Sequence, residues 1–294
     1  MRTAMDNLVS TQWLAEQLGA PDLCIVDATR HHFEPERQSA AEYEAGHIPG
    51  AVFLDLLHLV DAASPIDNTM PQAEQFSARM RELGVSADQR IVIYDDSVVK
   101  TAARAWFMFR MYGLPNVAML DGGLAKWKAE GRPLATGIET RTPSTFTASF
   151  DETRLRDKAD VLRNIEDKTA QHIDGRGAAH FSGADEDPNP AVASGHVPGS
   201  INVPFWDLFE ADGTFKSDET LRGVFANTGV DLSKPIITSC GGGVVACALA
   251  LALERIGKED VALYDGSWTE WGADPALPKA KGPAQPTSAK PASA

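Results

Sequence analysis

The sequence predicts a duplicated parallel α/β protein, and two observations lead to this class. Short β-branched runs alternate with helical patterns along the chain, which is typical of parallel sheets. Landmarks of the first half also recur in the same order in the second half. Four landmark pairs lie 144 to 149 residues apart: Asp27 and Asp174, His47 and His196, Asp95 and Cys240, and Asp121 and Asp265. Ordered landmarks at nearly one separation indicate a repeated domain.

The elements follow in order from these patterns. Apolar runs at 24–28, 91–95 and 119–121 predict buried strands of the first half, because such runs bounded by turn residues are typical of strands. Residues 73–83 have a helical pattern that ends at Gly84, a helix stop signal. The second half repeats the strand runs at 172–174, 236–240 and 263–265.

Composition shifts predict the domain boundaries. We expect an N-terminal domain at 1–135 and a C-terminal domain at 148–274, joined by a linker at 136–147 that is rich in Pro, Thr and Ser. Residues 275–294 contain repeated prolines among Ala, Lys and Ser. Such a composition does not form a packed core, so we predict a disordered tail.

Charge and cysteine usage exclude several functional classes. The net charge of −14 over 294 residues disfavours nucleic acid and anionic membranes as partners. The chain has no run of about 18 apolar residues and no apolar segment at its start, so we expect a cytoplasmic protein. An odd number of cysteines, Cys24, Cys240 and Cys247, gives no disulfide framework. No Cys/His spacing fits a zinc site, and we predict no metal.

The candidate nucleophile is Cys240, which lies between an apolar β-branched run and a helix-forming run. Three glycines, Gly241, Gly242 and Gly243, follow it. Glycines let the backbone curl around the sulfur and turn its N–H groups inward, and a helix N-terminus favours the thiolate that reacts. The pattern alone also fits a buried cysteine beside an ordinary turn. The matching position of the first half is Asp95, so one half carries this chemistry.

Together, the repeat, the Gly-His-(Ile/Val)-Pro-Gly motifs at 46–50 and 195–199, the cysteine loop and the ending at 263–272 resemble the two-domain rhodanese family. The resemblance implies two tandem rhodanese-like domains, each a central parallel sheet flanked by helices, with the active site between them. It implies a sulfurtransferase of the thiosulfate or 3-mercaptopyruvate type, without a cofactor. A small-molecule donor would leave its sulfur as a persulfide on Cys240, and a thiol or cyanide would accept it.

The resemblance also assigns binding residues. Backbone N–H groups of the loop would hold the anionic sulfur, and this set is Gly241, Gly242, Gly243, Val244 and Val245. Arg176 matches the first of two arginines that clamp a substrate carboxylate. Asn189 stands in the stretch where the second arginine is expected.

The loop departs from its relatives in ways that leave alternatives open. It lacks the basic pair of thiosulfate enzymes, which favours a mercaptopyruvate-like donor, and Gly242 and Val245 replace two hydroxyl residues. These losses also fit a binding or regulatory protein with weak turnover. A cysteine phosphatase shares this kind of fold but needs an arginine where this chain has Ala246.

Other polar and aromatic residues are assigned to the scaffold. We expect Asp174 to orient Arg176, and the histidines of the two repeated motifs, His47 and His196, to form structural turns. Cys247 is predicted to be a core residue rather than a second reactive thiol, because two helical turns separate it from Cys240.

Overall fold

The computed structural model describes residues 5–283 and contains two domains of the same construction. The first contains β1 (Leu8–Val9), α1 (Thr11–Gln17), β2 (Leu23–Asp27), α2 (Ser39–Ala45), β3 (Ala51–Phe53), α3 (Ala73–Glu82), β4 (Arg90–Tyr94), α4 (Thr101–Met111), β5 (Val117–Leu120) and α5 (Gly123–Ala129). The second contains β6 (Leu155–Arg156), α6 (Lys158–Asp167), β7 (Gln171–Asp174), α7 (Ala178–Ser182), β8 (Ile201–Asn202), α8 (Asp218–Asn227), β9 (Ile236–Ser239), α9 (Ala246–Arg255), β10 (Val261–Tyr264) and α10 (Ser267–Ala273).

Both domains have a five-stranded parallel sheet with the same strand order. The first sheet runs β1-β5-β4-β2-β3 and the second β6-β10-β9-β7-β8. In the register of β2 with β4, Asp27 lies beside Tyr94. In the register of β7 with β9, Asp174 lies beside Ser239. The predicted α/β class and the predicted duplication are therefore both confirmed.

Local signals account for the helix that the sequence locates most clearly. α3 ends one residue before the predicted end, and Gly84 follows it with a φ of +67°. A side chain at Gly84 would also collide with the backbone oxygen of Thr142, at 2.6 Å from an ideal Cβ. Glycine is needed here both for the left-handed turn and for the close approach of the chain at 142.

The domains meet through the two helices that begin after equivalent strands. α4 follows β4, α9 follows β9, and the two helices pack against each other. Both are buried almost all round, since one face contacts its own sheet and another contacts the partner domain. One continuous apolar cluster runs through both domains. Asp95 and Cys240, which directly follow β4 and β9, consequently lie near the domain interface.

The segments after α5 and after α10 repeat one arrangement. His47 pairs with Ala135, and His196 pairs with Ala280, as isolated antiparallel bridges. A tryptophan donates to the carbonyl of a following proline in each domain, Trp127 to Pro133 and Trp271 to Pro278, both at 2.8 Å. Residues 275–283 of the predicted disordered tail are thus held against the second domain, which corrects that prediction. Residues 284–294 lie outside the described residues.

The predicted linker at 136–147 lies against the first domain. Gly137 donates to Glu44 and Ser144 to Arg81, at 2.8 and 3.0 Å between backbone atoms. Phe146 is buried beside Phe76, with ring centroids 6.0 Å apart. Separately, no helix within residues 5–283 has both the length and the apolar character needed to span a lipid bilayer.

Arg104 of α4 joins the two domains by a buried ion pair. Its Nη1 donates to Asp265 Oδ1 at 2.5 Å and to the Gly243 carbonyl at 2.9 Å. Its Nη2 donates to the Asn68 carbonyl. The Arg104 and Asp265 side chains are 5% and 12% exposed, so removing one charge would leave the other buried and unpaired.

We expect Arg104→Met to lower the free energy of unfolding by about 3–5 kcal/mol, the usual cost of stranding a buried charge. Urea denaturation followed by circular dichroism measures the change. Arg79→Met is the matched control, because Arg79 forms a more exposed pair with Glu82 that contributes roughly 0–1 kcal/mol. Equal denaturation midpoints for the two variants would contradict the assignment.

Candidate active site

Cys240 lies at the carboxyl end of β9, and α10 holds it in place. Its backbone N–H donates to Ser267 Oγ at 3.1 Å, and its carbonyl accepts from the Trp268 N–H at 3.0 Å. Gly241 is bound in the same way, since its carbonyl accepts from the N–H and Oγ1 of Thr269, both at 2.8 Å. The start of the loop is therefore clamped to the last helix of the domain.

Backbone N–H groups converge on the thiol of Cys240. The backbone N–H groups of Gly242, Val245 and Ala246 act on the sulfur and lower the pKa of Cys240 against the effect of burial, as expected of a turn that leads into a helix. Gly242 and Val245 belong to the predicted set, whereas Ala246 does not. Ala246 is the first residue of α9, so its unpaired N–H is a normal feature of a helix start.

Burial decides the protonation state of this thiol. Cys240 is 2% exposed, and burial raises its pKa above the usual range while the three N–H groups act in the opposite direction. The charge of Asp174 adds to the increase. The loop that the sequence predicts to favour the thiolate is therefore opposed by desolvation, which acts on the pKa of Cys240 more strongly than the backbone N–H groups do.

The other residues of the predicted set shape the loop through different groups. Gly243 has a φ of +74°, and its carbonyl accepts from Arg104 Nη1 and from Cys247 Sγ. The side chain of Val244 packs in a small apolar cluster with Val99 of the first domain and Phe205. The loop is thus part of the domain interface.

Arg176 forms an ion pair with Asp174. Its Nε donates to both carboxylate oxygens, at 3.1 and 3.0 Å, and its Nη2 donates to Oδ2 at 2.6 Å. Nη2 also donates to the Gly195 carbonyl, and the guanidinium lies 4.6 Å from the centroid of the Trp268 ring. Asp174 orients Arg176 as predicted. The same pairing neutralises the charge that we predicted would clamp a substrate carboxylate.

Asn189 is exposed and serves a local turn. Its side-chain oxygen accepts from the backbone N–H of Ala191 at 3.0 Å, and its own N–H donates to Asp187 at 2.9 Å. These bonds stabilise the loop between α7 and β8. They do not direct the amide toward the Cys240 loop.

The scaffold residues lie as the sequence predicts. His47 Nδ1 bonds the Tyr43 carbonyl and stacks on that ring, and His196 does the same with Phe181. Because the two histidines make the same contacts in equivalent turns of both domains, we assign them a structural role. Cys247 is fully buried in α9, which confirms it as a core residue.

The first domain has a carboxylate where the second has the thiol. Asp95 is buried after β4 and accepts from Thr101 Oγ1 at 3.2 Å, and the backbone N–H groups of Thr101 and Ala102 lower the pKa of its carboxyl against the effect of burial. Thr101 and Ala102 begin α4, just as Ala246 begins α9. Both domains therefore place an acidic group against the start of an equivalent helix.

Two first-domain residues near the loop were missed by the sequence analysis. Arg104 could have been found from the sequence, because it lies among the apolar residues of α4 and a buried arginine needs a partner. Asn68 could not, because nothing in the sequence brings position 68 to the loop. Its Nδ2 lies 3.3 Å from the point where a Cβ on Gly242 would stand.

Comparison with known proteins identifies relatives along both domains. The family model for the rhodanese-like domain matches residues 10–130 and 157–274. The chain is 40% identical over 270 residues to 3-mercaptopyruvate sulfurtransferase of Homo sapiens, covering 90% of this chain and 91% of that protein. It is 39% identical over 272 residues to thiosulfate sulfurtransferase of Rattus norvegicus, covering 90% and 91%.

A solved structure agrees with these relatives. The crystal structure of SseA from Escherichia coli, described as a 3-mercaptopyruvate sulfotransferase, superposes with a TM-score of 0.83 at 38% sequence identity. The superposition covers 90% of this chain and 99% of that one.

We expect Gly243→Ala to destabilise the protein by about 1–3 kcal/mol, because an alanine at positive φ is strained and its Cβ would stand 2.6 Å from the Asp265 carbonyl oxygen. Gly241→Ala is the matched control, since an ideal Cβ at Gly241 has no neighbour within 4 Å. Urea denaturation compares the two. A Gly241 variant as unstable as the Gly243 variant would show that general loop flexibility matters instead.

We expect alkylation of Cys240 by iodoacetamide to accelerate with pH through the neutral range and to level off only above the usual cysteine pKa. The reason is that burial raises the pKa of Cys240, so the reactive thiolate fraction grows as pH rises. Burial raises the pKa of Cys24 to about 11 and that of Cys247 to about 12, so these react later. Mass spectrometry of peptides, with Cys240→Ser as control, locates the adduct. A plateau already at neutral pH would contradict the expectation.

Proposed function

The chain belongs to the rhodanese-like family, and we propose that it is a sulfurtransferase that carries the transferred sulfur as a persulfide on Cys240. The donor is a small molecule, 3-mercaptopyruvate in preference to thiosulfate. The acceptor is a thiol or cyanide. No cofactor takes part in the proposed reaction.

The placement of Cys240 between β9 and the start of α9, in a loop clamped to α10, carries this proposal, and the backbone N–H groups of Gly242, Val245 and Ala246 act on its sulfur. Such donors stabilise negative charge on sulfur wherever it develops, and they are already aligned before the reaction starts. The outer sulfur of a persulfide carries the negative charge, and the persulfide group is one sulfur atom larger than a thiolate. The loop next to Cys240 has open space at Gly241, where an ideal Cβ has no neighbour within 4 Å.

In the first half-reaction the Cys240 thiolate attacks the sulfur of 3-mercaptopyruvate. A bond forms between the two sulfurs, and the carbon–sulfur bond of the donor breaks with its electron pair on carbon. The enolate of pyruvate that departs takes up the proton that the donor thiol carried. Pyruvate and the Cys240 persulfide anion are the products, so atoms and charge balance.

In the second half-reaction the acceptor attacks the outer sulfur. A thiolate or cyanide forms the new bond to sulfur, and the sulfur–sulfur bond breaks with its electron pair on Cys240. Cys240 returns to its thiolate form. Burial then favours protonation of this thiolate.

The charges around the loop support the choice of donor. No residue from Gly241 to Val245 carries a basic side chain, and the Asp174 carboxylate acts on the thiol. A dianion such as thiosulfate gains less here than the monoanion of 3-mercaptopyruvate. This preference follows the loop composition and is independent of the relatives' names.

Incubation with 3-mercaptopyruvate, followed by desalting, is expected to add the mass of one sulfur atom to the wild type and none to Cys240→Ser. Thiosulfate is expected to add less at equal concentration. Intact-protein mass spectrometry measures both, and treatment with cyanide is expected to remove the added mass and release thiocyanate.

The opposite results separate the alternatives. If neither donor adds sulfur to the folded wild type, the proposal is wrong and a binding or regulatory role takes its place. Sulfur on Cys240→Ser as well would place the reaction at another residue.

A further inference from the structure

Arg30 extends from the first domain toward the Cys240 loop and is held by neutral acceptors. Its Nη1 donates to Asn68 Oδ1 at 2.5 Å and to the Leu56 carbonyl at 3.4 Å. Arg30 follows β2 by three residues and is half-buried. The guanidinium is therefore oriented without its charge being cancelled.

The charge of Arg30 has no local counterion. Among the ion pairs of residues 5–283, none involves Arg30, although Asp55 and Asp67 attract it from a greater distance. Arg104 and Arg176, the other arginines around the loop, are paired with Asp265 and Asp174. Within the described part of the chain Arg30 is thus the guanidinium near the loop that remains able to bind an anion.

Two of its N–H-bearing nitrogens have no partner among the described residues and are not completely buried. Nε and Nη2 of Arg30 form no hydrogen bond within residues 5–283, and neither belongs to the buried polar atoms that lack a partner. A planar guanidinium edge of this kind matches the two oxygens of a carboxylate.

Asn68 connects Arg30 to the loop. Arg30 binds Oδ1, so the amide must present Nδ2 in the other direction. That nitrogen lies 3.3 Å from the point where a Cβ on Gly242 would stand, two residues after Cys240. Arg104 holds the Asn68 carbonyl, and the residue has a φ of +63°, so its placement depends on the domain interface.

Two guanidiniums and one imidazole lie together in the same region. His32 lies beside Arg30 and Arg104 in a small cavity, which Asn68 and Val244 also line. Burial and the two guanidiniums lower the pKa of His32 to about 4, so its imidazole is neutral at pH 7. An anion placed here would meet the guanidiniums of Arg30 and Arg104, on which the carboxylates of Asp55, Asp67 and Asp265 also act.

We propose that Arg30 and the Nδ2 of Asn68 bind the carboxylate of the sulfur donor beside the Cys240 loop. This inference rests on the proposed function, and it assigns to the first domain the anion recognition that the Arg176–Asp174 pair cannot supply. It also accounts for how a chain with a net charge of −14 attracts an anionic substrate.

The test compares iodoacetate with iodoacetamide as alkylating agents for Cys240, since the two differ in the carboxylate alone. The quantity measured is the ratio of their second-order rate constants in the wild type, Arg30→Gln, Arg30→Lys and Arg79→Gln. Arg79 is a matched control, because it also donates to a carbonyl of the first domain, that of Phe53. The affinity for pyruvate, measured by ligand-observed NMR, is a second readout that needs no reaction at Cys240.

We expect Arg30→Gln to lower the iodoacetate-to-iodoacetamide ratio and the pyruvate affinity by roughly tenfold, the effect of one charge-assisted hydrogen bond. Arg30→Lys is expected to recover part of both, and Arg79→Gln to change neither. An unchanged iodoacetamide rate shows that the loop is intact.

Three results would overturn the inference: no change in either readout for Arg30→Gln, an equal loss for Arg79→Gln, or wild-type protein that binds no pyruvate. Neither readout requires sulfur transfer. Failure of the Arg30 assignment therefore differs from failure of the proposed function, which the mass of the sulfur adduct decides.

Discussion

The guanidinium of Arg104 is the contact on which the geometry of the site depends. It is buried at the domain interface and binds the Gly243 carbonyl, the Asp265 carboxylate and the Asn68 carbonyl. One side chain of the first domain thus fixes the thiol loop, the segment before α10 and the nearest first-domain loop. Because a buried guanidinium must satisfy its donors, the domains cannot separate here without a large cost. The site is accordingly rigid across the interface.

The duplication gives this chain two equivalent sites, each formed by the end of a strand and the start of a helix, with a different side chain in each. Asp95 meets the start of α4, and Cys240 meets the start of α9. Each helix start supplies unpaired N–H groups, which favour an anion. In the first site the Asp95 carboxylate is a permanent group that links the strand to the helix. In the second site the Cys240 thiol can exchange its proton for a sulfur atom. The same physical device therefore stabilises one domain and makes the other reactive.

Much of the fold and part of the site could be predicted from the sequence. The strands, the duplication, the helix that ends at Gly84 and the position of Cys240 follow from local patterns, because periodicity, glycines and repeated motifs are local properties. The fate of Arg176 did not follow, since a guanidinium two residues after a carboxylate can bind either that carboxylate or a ligand. The ordered segment at 275–283 was missed because its partner, His196, lies about 80 residues earlier in the sequence.

By itself, the sequence determined the α/β class, the repeat, the single thiol loop and the resemblance that identifies the chemistry, since each depends on residues close together in the chain. Only the tertiary structure decided the charge balance around that loop. Burial raises the pKa of Cys240, and Asp174 neutralises Arg176. The packing of α4 on α9 brings Arg104, which also binds Asn68, to the loop that follows Cys240. Electrostatic environments sum over groups that are distant in sequence and depend on desolvation, so they arise only once the two domains have packed together.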